Sequence, residues 1–161
     1  MNIKTMNEIP KRKQIRLKKY DYSQNGFYFI TICTHNRQNL FAINEADNTC
    51  NLLVKKWLFE IEVKFPDVTI CKYVIMPDHI HFIISKTGDH TGSPLRDIIG
   101  WFKTMVTNDY ICKVKQGLLM PFDKKIWQRN YYEHVIRNEN DYIEKAEYID
   151  NNPIKWLTKI N

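Results

Sequence analysis

Four segments of the chain carry the β-branched and aromatic residues that are typical of strands. They are GFYFITICTH (26–35), VTICKYVIM (68–76), HIHFIIS (79–85) and YYEHVIR (131–137). The first follows the turn-forming sequence YSQNG, and Pro77-Asp78 predicts a tight connection between the second and third. The last of the four could form a fourth strand.

Three further segments predict helices. They are residues 50–65, 94–115 and 138–152, and in the first two the apolar residues recur at helical spacing. Ser93 is the predicted N-cap of the second helix, with Pro94 at its first helical position. Asn138 or Asn140 is predicted to cap the third helix, and Pro153 is predicted to follow its end.

The resulting order is strand, helix, strand, strand, helix, strand and a terminal helix. This order predicts an α+β, ferredoxin-like (RRM-like) fold, with an antiparallel sheet and helices on one face. The 161 residues suit one domain with a hydrophobic core, and the sequence contains no repeats. We therefore predict a basic N-terminal arm over residues 1–19 and a single domain over residues 20–161.

Composition narrows the class of protein. No apolar stretch approaches the roughly 18–20 residues of a membrane helix, and the N-terminus lacks the apolar core of a secretory signal. These features predict a soluble, cytoplasmic protein. The four cysteines are widely spread and form no C-x-x-C pair, so they predict free thiols and not a disulfide framework or a cysteine zinc site.

The charge is uneven along the chain. The formal net charge is +6, and much of the excess lies in one short segment. The residues of this basic arm are Lys11, Arg12, Lys13, Arg16, Lys18 and Lys19. Such an arm favours phosphate through Coulomb attraction and counterion release, and the alternative is a solvated tail that aids solubility.

Two histidines stand one residue apart in the third predicted strand. Side chains at i and i+2 of a strand point to one side, so His79 and His81 would lie about 7 Å apart on one face. Ile80 would point towards the helices. Two neutral imidazoles at this separation can bind one divalent cation, and the alternative is an idle, half-solvated pair.

The last predicted helix offers a third ligand. Tyr148 and Asn152 are four residues apart and share one helical face. A carboxamide oxygen is a hard ligand that suits Mg²⁺ or Mn²⁺. A tyrosine beside a metal-bound phosphate can attack phosphorus, although a tyrosine packed in the core with a wet hydroxyl is the commoner arrangement.

The combination of these blocks resembles a known family. PDHIHFII (77–84), IWQRNYYEHVIRNENDYIEKAEYIDNNP (126–153) and the N-terminal block 15–41 are similar to single-tyrosine HUH transposases, in particular the REP-associated tyrosine transposases, which are relatives of insertion-sequence transposases of the IS200 type. The resemblance covers about residues 14–157.

The resemblance implies a nuclease and strand transferase that acts on single-stranded DNA beside hairpins. It assigns the metal pair to His79 and His81, the nucleophile to Tyr148 and a polar metal ligand to Asn152, where many insertion-sequence members carry glutamine. It implies Mg²⁺ or Mn²⁺ as cofactor and a 5′-phosphotyrosine intermediate. The partner would be single-stranded or hairpin DNA at the nucleoid, and the chain could act as a monomer or a homodimer.

Several alternatives stay open at this point. Tyr131, Tyr132 and Tyr142 compete as nucleophile, but the first two fall in a strand and the third lies on another side of the helix. Lys103 and Arg129 could hold the DNA backbone. Two rival functions are a catalytically silent hairpin-DNA-binding protein and an RNA-binding module of the same sheet topology.

Overall fold

The computed structural model describes residues 25–41, 48–88 and 92–159, and the basic arm lies outside this part. Its strands are β1 (Gly26–Cys33), β2 (Val68–Met76), β3 (His79–Lys86) and β4 (Tyr132–Ile136). Its helices are α1 (Thr49–Lys64), α2 (Leu95–Lys115) and α3 (Glu139–Lys159). The strands form one antiparallel sheet in the order β2-β3-β1-β4. The predicted α+β, ferredoxin-like fold is therefore confirmed.

The sheet has an apolar core on each face because successive strand residues point to opposite sides. The large core lies between the sheet and helices α1 and α2, and it contains Ile30, Ile80 and Phe82. The small core lies between the other face and α3. Its buried residues are Phe29, Val74, Met76, Ile83, Ile136 and Ile149. The C-terminal helix therefore packs opposite the other two, on the face to which His79 and His81 point, so the prediction of helices on one face holds for α1 and α2 but not for α3.

A β-bulge at Cys71 resets the alternation of β2, since the ladder register shifts between Ile70 and Lys72. Ile70 packs in the large core, whereas Lys72 faces α3, where its Nζ lies 2.8 Å from Asp150 Oδ2. Val74 then falls in the small core. The bulge thus allows one strand to supply apolar residues to both layers and an ion pair to α3.

Two predicted helix boundaries are wrong. Pro153 does not follow α3 but lies inside it, and the helix continues to Lys159. An internal proline removes one helical hydrogen bond and costs about 3 kcal/mol or more, which packing of the later turns must offset. Trp156, one turn later, packs against the small core.

The second wrong boundary concerns α2, whose N-cap is Pro94 and not Ser93, with no side-chain cap. The backbone N–H groups of Asp97 and Ile98 both donate to the Pro94 carbonyl, at 2.9 and 3.2 Å. Of the two proposed caps of α3, the structure selects Asn138, whose Oδ1 accepts the backbone N–H of Asp141 at 2.9 Å. The first strand ends at Cys33, two residues early, and a short 3₁₀ turn follows over His35–Arg37.

Two predictions from composition can be compared with the structure. The four cysteines, all in the described part, are free thiols as predicted. Among the described residues, no helix is long and apolar enough to cross a membrane.

Candidate active site

His79 and His81 project from the same face of β3, as strand alternation predicts. Their ring centroids are 4.6 Å apart and the planes meet at 72°. Ile80 between them is fully buried in the large core. Both histidines are buried beneath α3, with 8% and 5% of their surface exposed. The alternative of a half-solvated pair therefore does not hold.

Each imidazole is held through its Nδ1 atom. His79 Nδ1 lies 2.5 Å from Asp78 Oδ1, and His81 Nδ1 lies 2.7 Å from Thr31 Oγ1. The Nε2 atoms are therefore the nitrogens left to bind a ligand. His81 Nε2 is buried and has no hydrogen-bond partner within the part of the chain that the structure describes. An orphaned buried nitrogen fits a site for a cation, because an unpaired buried polar atom is costly.

The electrostatics of the pair also fit a cation site. Burial lowers the pKa of His81 to about 3, with smaller effects of the same sign from His79 and Arg37. His81 is therefore neutral at physiological pH, which is the form that binds a metal. Across the described residues, no three His, Cys, Asp or Glu side chains converge on a metal position. Within this described part, a third protein ligand would have to come from another residue type.

Tyr148 and Asn152 supply the candidate nucleophile and the candidate third ligand, and both line the cleft that contains the histidines. The Tyr148 ring meets the imidazole of His81 edge to face, with centroids 5.2 Å apart, and meets Phe29 at 5.9 Å. Asn152 is buried, whereas Tyr148 is 42% exposed. A single chain thus brings together all four residues that the family resemblance assigned.

The competing tyrosines differ in position. Tyr142 packs edge to face on Phe27, with centroids 5.4 Å apart, and lines a separate pocket beyond the small core. Tyr131 is partly buried against the large core, on the opposite side of the sheet. Tyr132 does line the cleft and is 41% exposed. Of the three rivals, only Tyr132 can reach a substrate in the same cleft as the histidines.

The cleft has a cationic wall that the sequence reasoning missed. Its volume is about 470 Å³, and Arg37 and three lysines of α3 line it. These are Lys145, Lys155 and Lys159. With Tyr148 and Asn152 they follow a spacing of three, four, three and four residues, which is one face of a helix. This spacing is present in the sequence. It was missed because the helix was predicted to end before Pro153, which left Lys155 and Lys159 outside it.

The two predicted DNA contacts outside the arm do not line this cleft. Lys103 Nζ donates to the carbonyl oxygens of Gln128, Arg129 and Asn130 at 2.9, 3.4 and 3.4 Å. Burial lowers the pKa of Lys103 to about 8, against a smaller opposing effect of Cys33. Lys103 thus holds the loop before β4, whereas the side chain of Arg129 is exposed. The residues of the basic arm, Lys11 to Lys19, lie outside the described part.

The ladder register decides which face of the sheet His134 takes. His134 pairs with Phe29 in the ladder and therefore points to the side of the sheet that α3 covers. Its Nε2 bonds the Asp141 carboxylate at 2.8 and 2.9 Å. His134 thus ties β4 to the first turn of α3 and is not among the residues that line the cleft.

Three relatives are similar to the chain over most of their length. A protein of unknown function from Haemophilus influenzae is 40% identical over 164 residues, which cover 92% of this chain and 91% of the relative. A putative REP-associated tyrosine transposase from the same organism is 30% identical, with 84% and 74% covered. The REP-associated tyrosine transposase of Escherichia coli K12 is 27% identical, with 87% and 74% covered.

Two solved structures share the fold. One is a REP-associated tyrosine transposase bound to a REP hairpin, with a TM-score of 0.66 and 24% identity, covering 87% of this chain and 73% of that chain. The other is a putative transposase from Deinococcus radiodurans, with a TM-score of 0.55 and 17% identity, covering 84% and 97%. The sequence model of the IS200-like transposases matches residues 22–152, which include the histidine pair, Tyr148 and Asn152. The chain therefore belongs to the family of IS200-like transposases.

Proposed function

We propose that this protein is a metal-dependent endonuclease and strand transferase that acts on single-stranded DNA beside REP-type hairpins at the nucleoid. The observation that carries the proposal is the contact of Tyr148 with His81, at 5.2 Å between ring centroids, in one open cleft. The hairpin bound by the structural neighbour supports the choice of DNA. The proposed groups come from one chain, so the site does not require a second copy.

His79, His81 and Asn152 would hold Mg²⁺ or Mn²⁺, through two Nε2 atoms and the carboxamide oxygen. When bound, a divalent cation supplies Lewis-acid stabilisation of the charge that develops on a scissile phosphate. The neutral, orphaned Nε2 of His81 and the buried amide of Asn152 support this ligand set. Water and the phosphate of the DNA would supply the other ligands of the cation.

Tyr148 would attack the scissile phosphorus through its phenol oxygen. The new bond joins Tyr148 Oη to phosphorus, and the bond from phosphorus to the 3′ oxygen of the preceding nucleotide breaks. The phenol proton leaves to solvent or a neighbouring base, and the 3′ oxygen takes up a proton. The product is a 5′-phosphotyrosine and a free 3′-hydroxyl. Attack by such a hydroxyl on the same phosphorus would break the bond to Tyr148 Oη, which takes up a proton, and would join the strand again without ATP.

The walls of the cleft indicate how the strand would lie. Lys145, Lys155 and Lys159 line the α3 side and would neutralise backbone phosphates. Tyr132 lines the β4 side with an exposed ring, which suits stacking on an unpaired base. A single strand between these walls would present one phosphate to the histidine pair.

The test is a covalent-adduct assay with DNA that flanks the protein's own gene. Labelled oligonucleotides that carry a flanking hairpin and its single-stranded neighbours are incubated with protein and Mn²⁺ or Mg²⁺. We expect a protein–DNA band that survives denaturation and is absent with EDTA. Binding without an adduct, with every flanking hairpin, would indicate the catalytically silent hairpin-binding protein instead. Tighter binding of matched RNA, again without an adduct, would favour the RNA-binding module.

A further inference from the structure

We propose that Asp78 and Arg37 act as a positioning pair that fixes the tautomer of His79, with its Nε2 lone pair free for a cation. The proposal rests on the proposed function of the histidine pair as a metal site. It assigns roles to two residues outside that ligand set. Its evidence is a chain of contacts that runs from the guanidinium through the carboxylate to the imidazole.

The Asp78 carboxylate uses one oxygen for each partner. Its Oδ1 lies 2.5 Å from His79 Nδ1, and its Oδ2 lies 3.1 Å from Arg37 Nε. The carboxylate side chain is only 7% exposed, whereas that of Arg37 is 53% exposed. The arginine therefore neutralises a buried charge from the solvent side and leaves Oδ1 to the histidine.

A carboxylate fixes the tautomer because it can only accept a hydrogen bond. His79 Nδ1 must then carry the proton, and Nε2 keeps a lone pair. A carboxylate behind a ligating imidazole also raises its basicity, which strengthens a metal bond. His81 differs, since its Nδ1 partner is the Thr31 hydroxyl, which can donate or accept. The charged partner thus makes His79 the better defined ligand of the two.

The backbone holds Arg37 in an unfavourable conformation to make this contact. Asn36 and Arg37 have φ angles of 52° and 56°, in the left-handed region that residues with a Cβ rarely adopt. The reversal brings the Arg37 side chain back to β1, where its Nη1 lies 2.8 Å from Cys33 Sγ. Such conformations persist only where the surroundings over-determine them, and they cluster at functional sites.

The side chain of Gln38 provides hydrogen bonds that hold this backbone conformation. Its Nε2 donates to the carbonyl oxygens of His35, Asp123 and Lys125, and its Oε1 accepts the backbone N–H of Asp123. The short turn after β1 is therefore tied to the loop over residues 123–125. This network holds the arginine in place without using the carboxylate of Asp78.

Two simpler roles for Asp78 fit less well. A direct metal ligand would form a cluster with the two histidines, but no such group of three exists among the residues described by the structure. A purely structural role in the β2–β3 turn is already filled by the backbone. The Asp78 carbonyl accepts both the N–H and the hydroxyl of Thr34, at 2.9 and 3.0 Å. The side chain remains free to act on His79.

The decisive variant is Asp78→Asn. If the amide oxygen faces His79, the amide N–H₂ faces the Arg37 guanidinium, and two hydrogen-bond donors then oppose each other. If the amide turns over, its N–H₂ donates to His79 Nδ1 and moves the imidazole proton to Nε2. Either orientation breaks the proposed arrangement. Asp97→Asn makes the same chemical change on an exposed carboxylate of α2 and serves as the matched control.

The experiment has two readouts at pH 8. Long-range ¹H–¹⁵N NMR of the metal-free protein reports the His79 tautomer, and calorimetry reports the affinity for Mn²⁺. We expect the Nδ1–H tautomer in the parent and in Asp97→Asn. In Asp78→Asn we expect the Nε2–H tautomer, or a mixture, and an affinity about 10–100-fold weaker. Arg37→Lys should lose less affinity than Arg37→Gln, because it keeps a cation beside Asp78.

Each outcome decides one question. An unchanged His79 tautomer and unchanged Mn²⁺ affinity in Asp78→Asn would overturn the positioning pair. If the parent binds no Mn²⁺, the proposed metal site fails, and the NMR tautomers still decide whether the pair fixes His79. If Asp78→Asn does not fold, Arg37→Gln takes its place, because its side chain is half exposed. The carboxylate that remains there should keep the Nδ1–H tautomer, so an unchanged Mn²⁺ affinity in Arg37→Gln would overturn the positioning pair.

Discussion

The phenol ring of Tyr148 stands edge-on to the imidazole of His81, at 76° between the planes. The two residues come from α3 and β3, which meet across the small core. Phe29 completes the group, since its ring stacks on His81 at 5.4 Å and meets Tyr148 edge to face. The candidate nucleophile Tyr148 and the candidate metal ligand His81 therefore contact the same apolar side chain, that of Phe29.

Replacing Tyr148 with phenylalanine should remove the covalent adduct and leave the fold intact, because only one exposed hydroxyl is lost. Mn²⁺ and DNA affinities should stay close to those of the parent. Peptide mapping of the parent adduct should place the nucleotide on the fragment that contains AEYIDNNP, residues 146–153. Tyr132→Phe and Tyr142→Phe are the matched controls and should still form the adduct. An adduct mapped to Tyr132, which also lines the cleft, would move the nucleophile to β4.

Replacing His81 with alanine should weaken Mn²⁺ binding by at least about tenfold and slow adduct formation, because one of two imidazole ligands is lost. Calorimetry measures the first effect and the adduct assay the second. His134→Ala is the control, since His134 bonds Asp141 and lies outside the cleft lining. Equal loss of Mn²⁺ affinity in both variants would point to a general effect on folding and not to ligation.

The lysines that line the cleft should contribute to DNA affinity in a salt-dependent way. Replacing Lys145, Lys155 and Lys159 with alanine should flatten the slope of log affinity against log salt, by about 0.7 for each phosphate of a single strand that the protein no longer neutralises. Titrations of a fluorescent oligonucleotide at several salt concentrations measure the slope. Lys113→Ala with Lys115→Ala, on α2 at the other face of the sheet, should leave it nearly unchanged.

Neutralising the basic arm is a separate test of the charge pattern. If residues 11–19 contact the hairpin or its flanks, replacing their lysines and arginines should flatten the same slope. A slope that changes only with the arm would contradict the assignment of phosphate contacts to the α3 lysines. If the salt slope becomes partly flatter in the α3 lysine variant and partly flatter in the arm variant, both surfaces contact the DNA backbone.

The Asp141 carboxylate should give the fold a pH-dependent stability. Burial alone would raise its pKa, but the hydrogen bonds from His134 and from the Arg137 backbone N–H outweigh this effect and lower the pKa. A lowered folded-state pKa means that the stabilisation is present above the unfolded pKa, near 3.8, and is lost as the pH falls through the folded value.

We therefore expect Asp141→Asn to lower the free energy of unfolding by about 1 kcal/mol at pH 6, because a charged hydrogen-bond acceptor at a helix N-terminus is lost. Urea denaturation should show this difference shrinking as the pH falls below the unfolded pKa and through the lower folded-state pKa of Asp141. Glu147, an exposed carboxylate in the middle of α3, provides the control, and Glu147→Gln should change little at either pH. A difference that stays constant with pH would mean that the charge of Asp141 is not what stabilises α3.

Much of the site could be predicted from local periodicity. Alternation along a strand requires His79 and His81 to share a face, and helical spacing requires Tyr148 and Asn152 to share another. Both statements depend only on backbone geometry. That the two faces meet depends on where α3 crosses the sheet, and only the family resemblance supplied that information before the structure.

The remaining features depend on contacts between distant residues. The bulge at Cys71 has no local signal, because its effect is to serve two cores at once. Pro153 commonly ends a helix, and packing of Trp156 on the small core overrides that preference. Lys103 resembles any other helix lysine until the carbonyl oxygens that it holds are known. Propensity could not foresee any of these, since in each case tertiary packing decides.

The two separate cores have a consequence for how such proteins diverge. Substitutions in the large core alter the packing of α1 and α2 on the sheet. They do not directly change the small-core side chains on which α3 packs. Substitutions in the small core, at Phe29, Ile83 or Ile149, would tilt or shift α3 and, under the proposed mechanism, change the distance from the Tyr148 phenol to a bound phosphate. If Tyr148 is the nucleophile, selection could then change the position of the cut while the large core keeps the scaffold stable, and a lineage that loses the proposed cleavage should first accumulate substitutions in the small core.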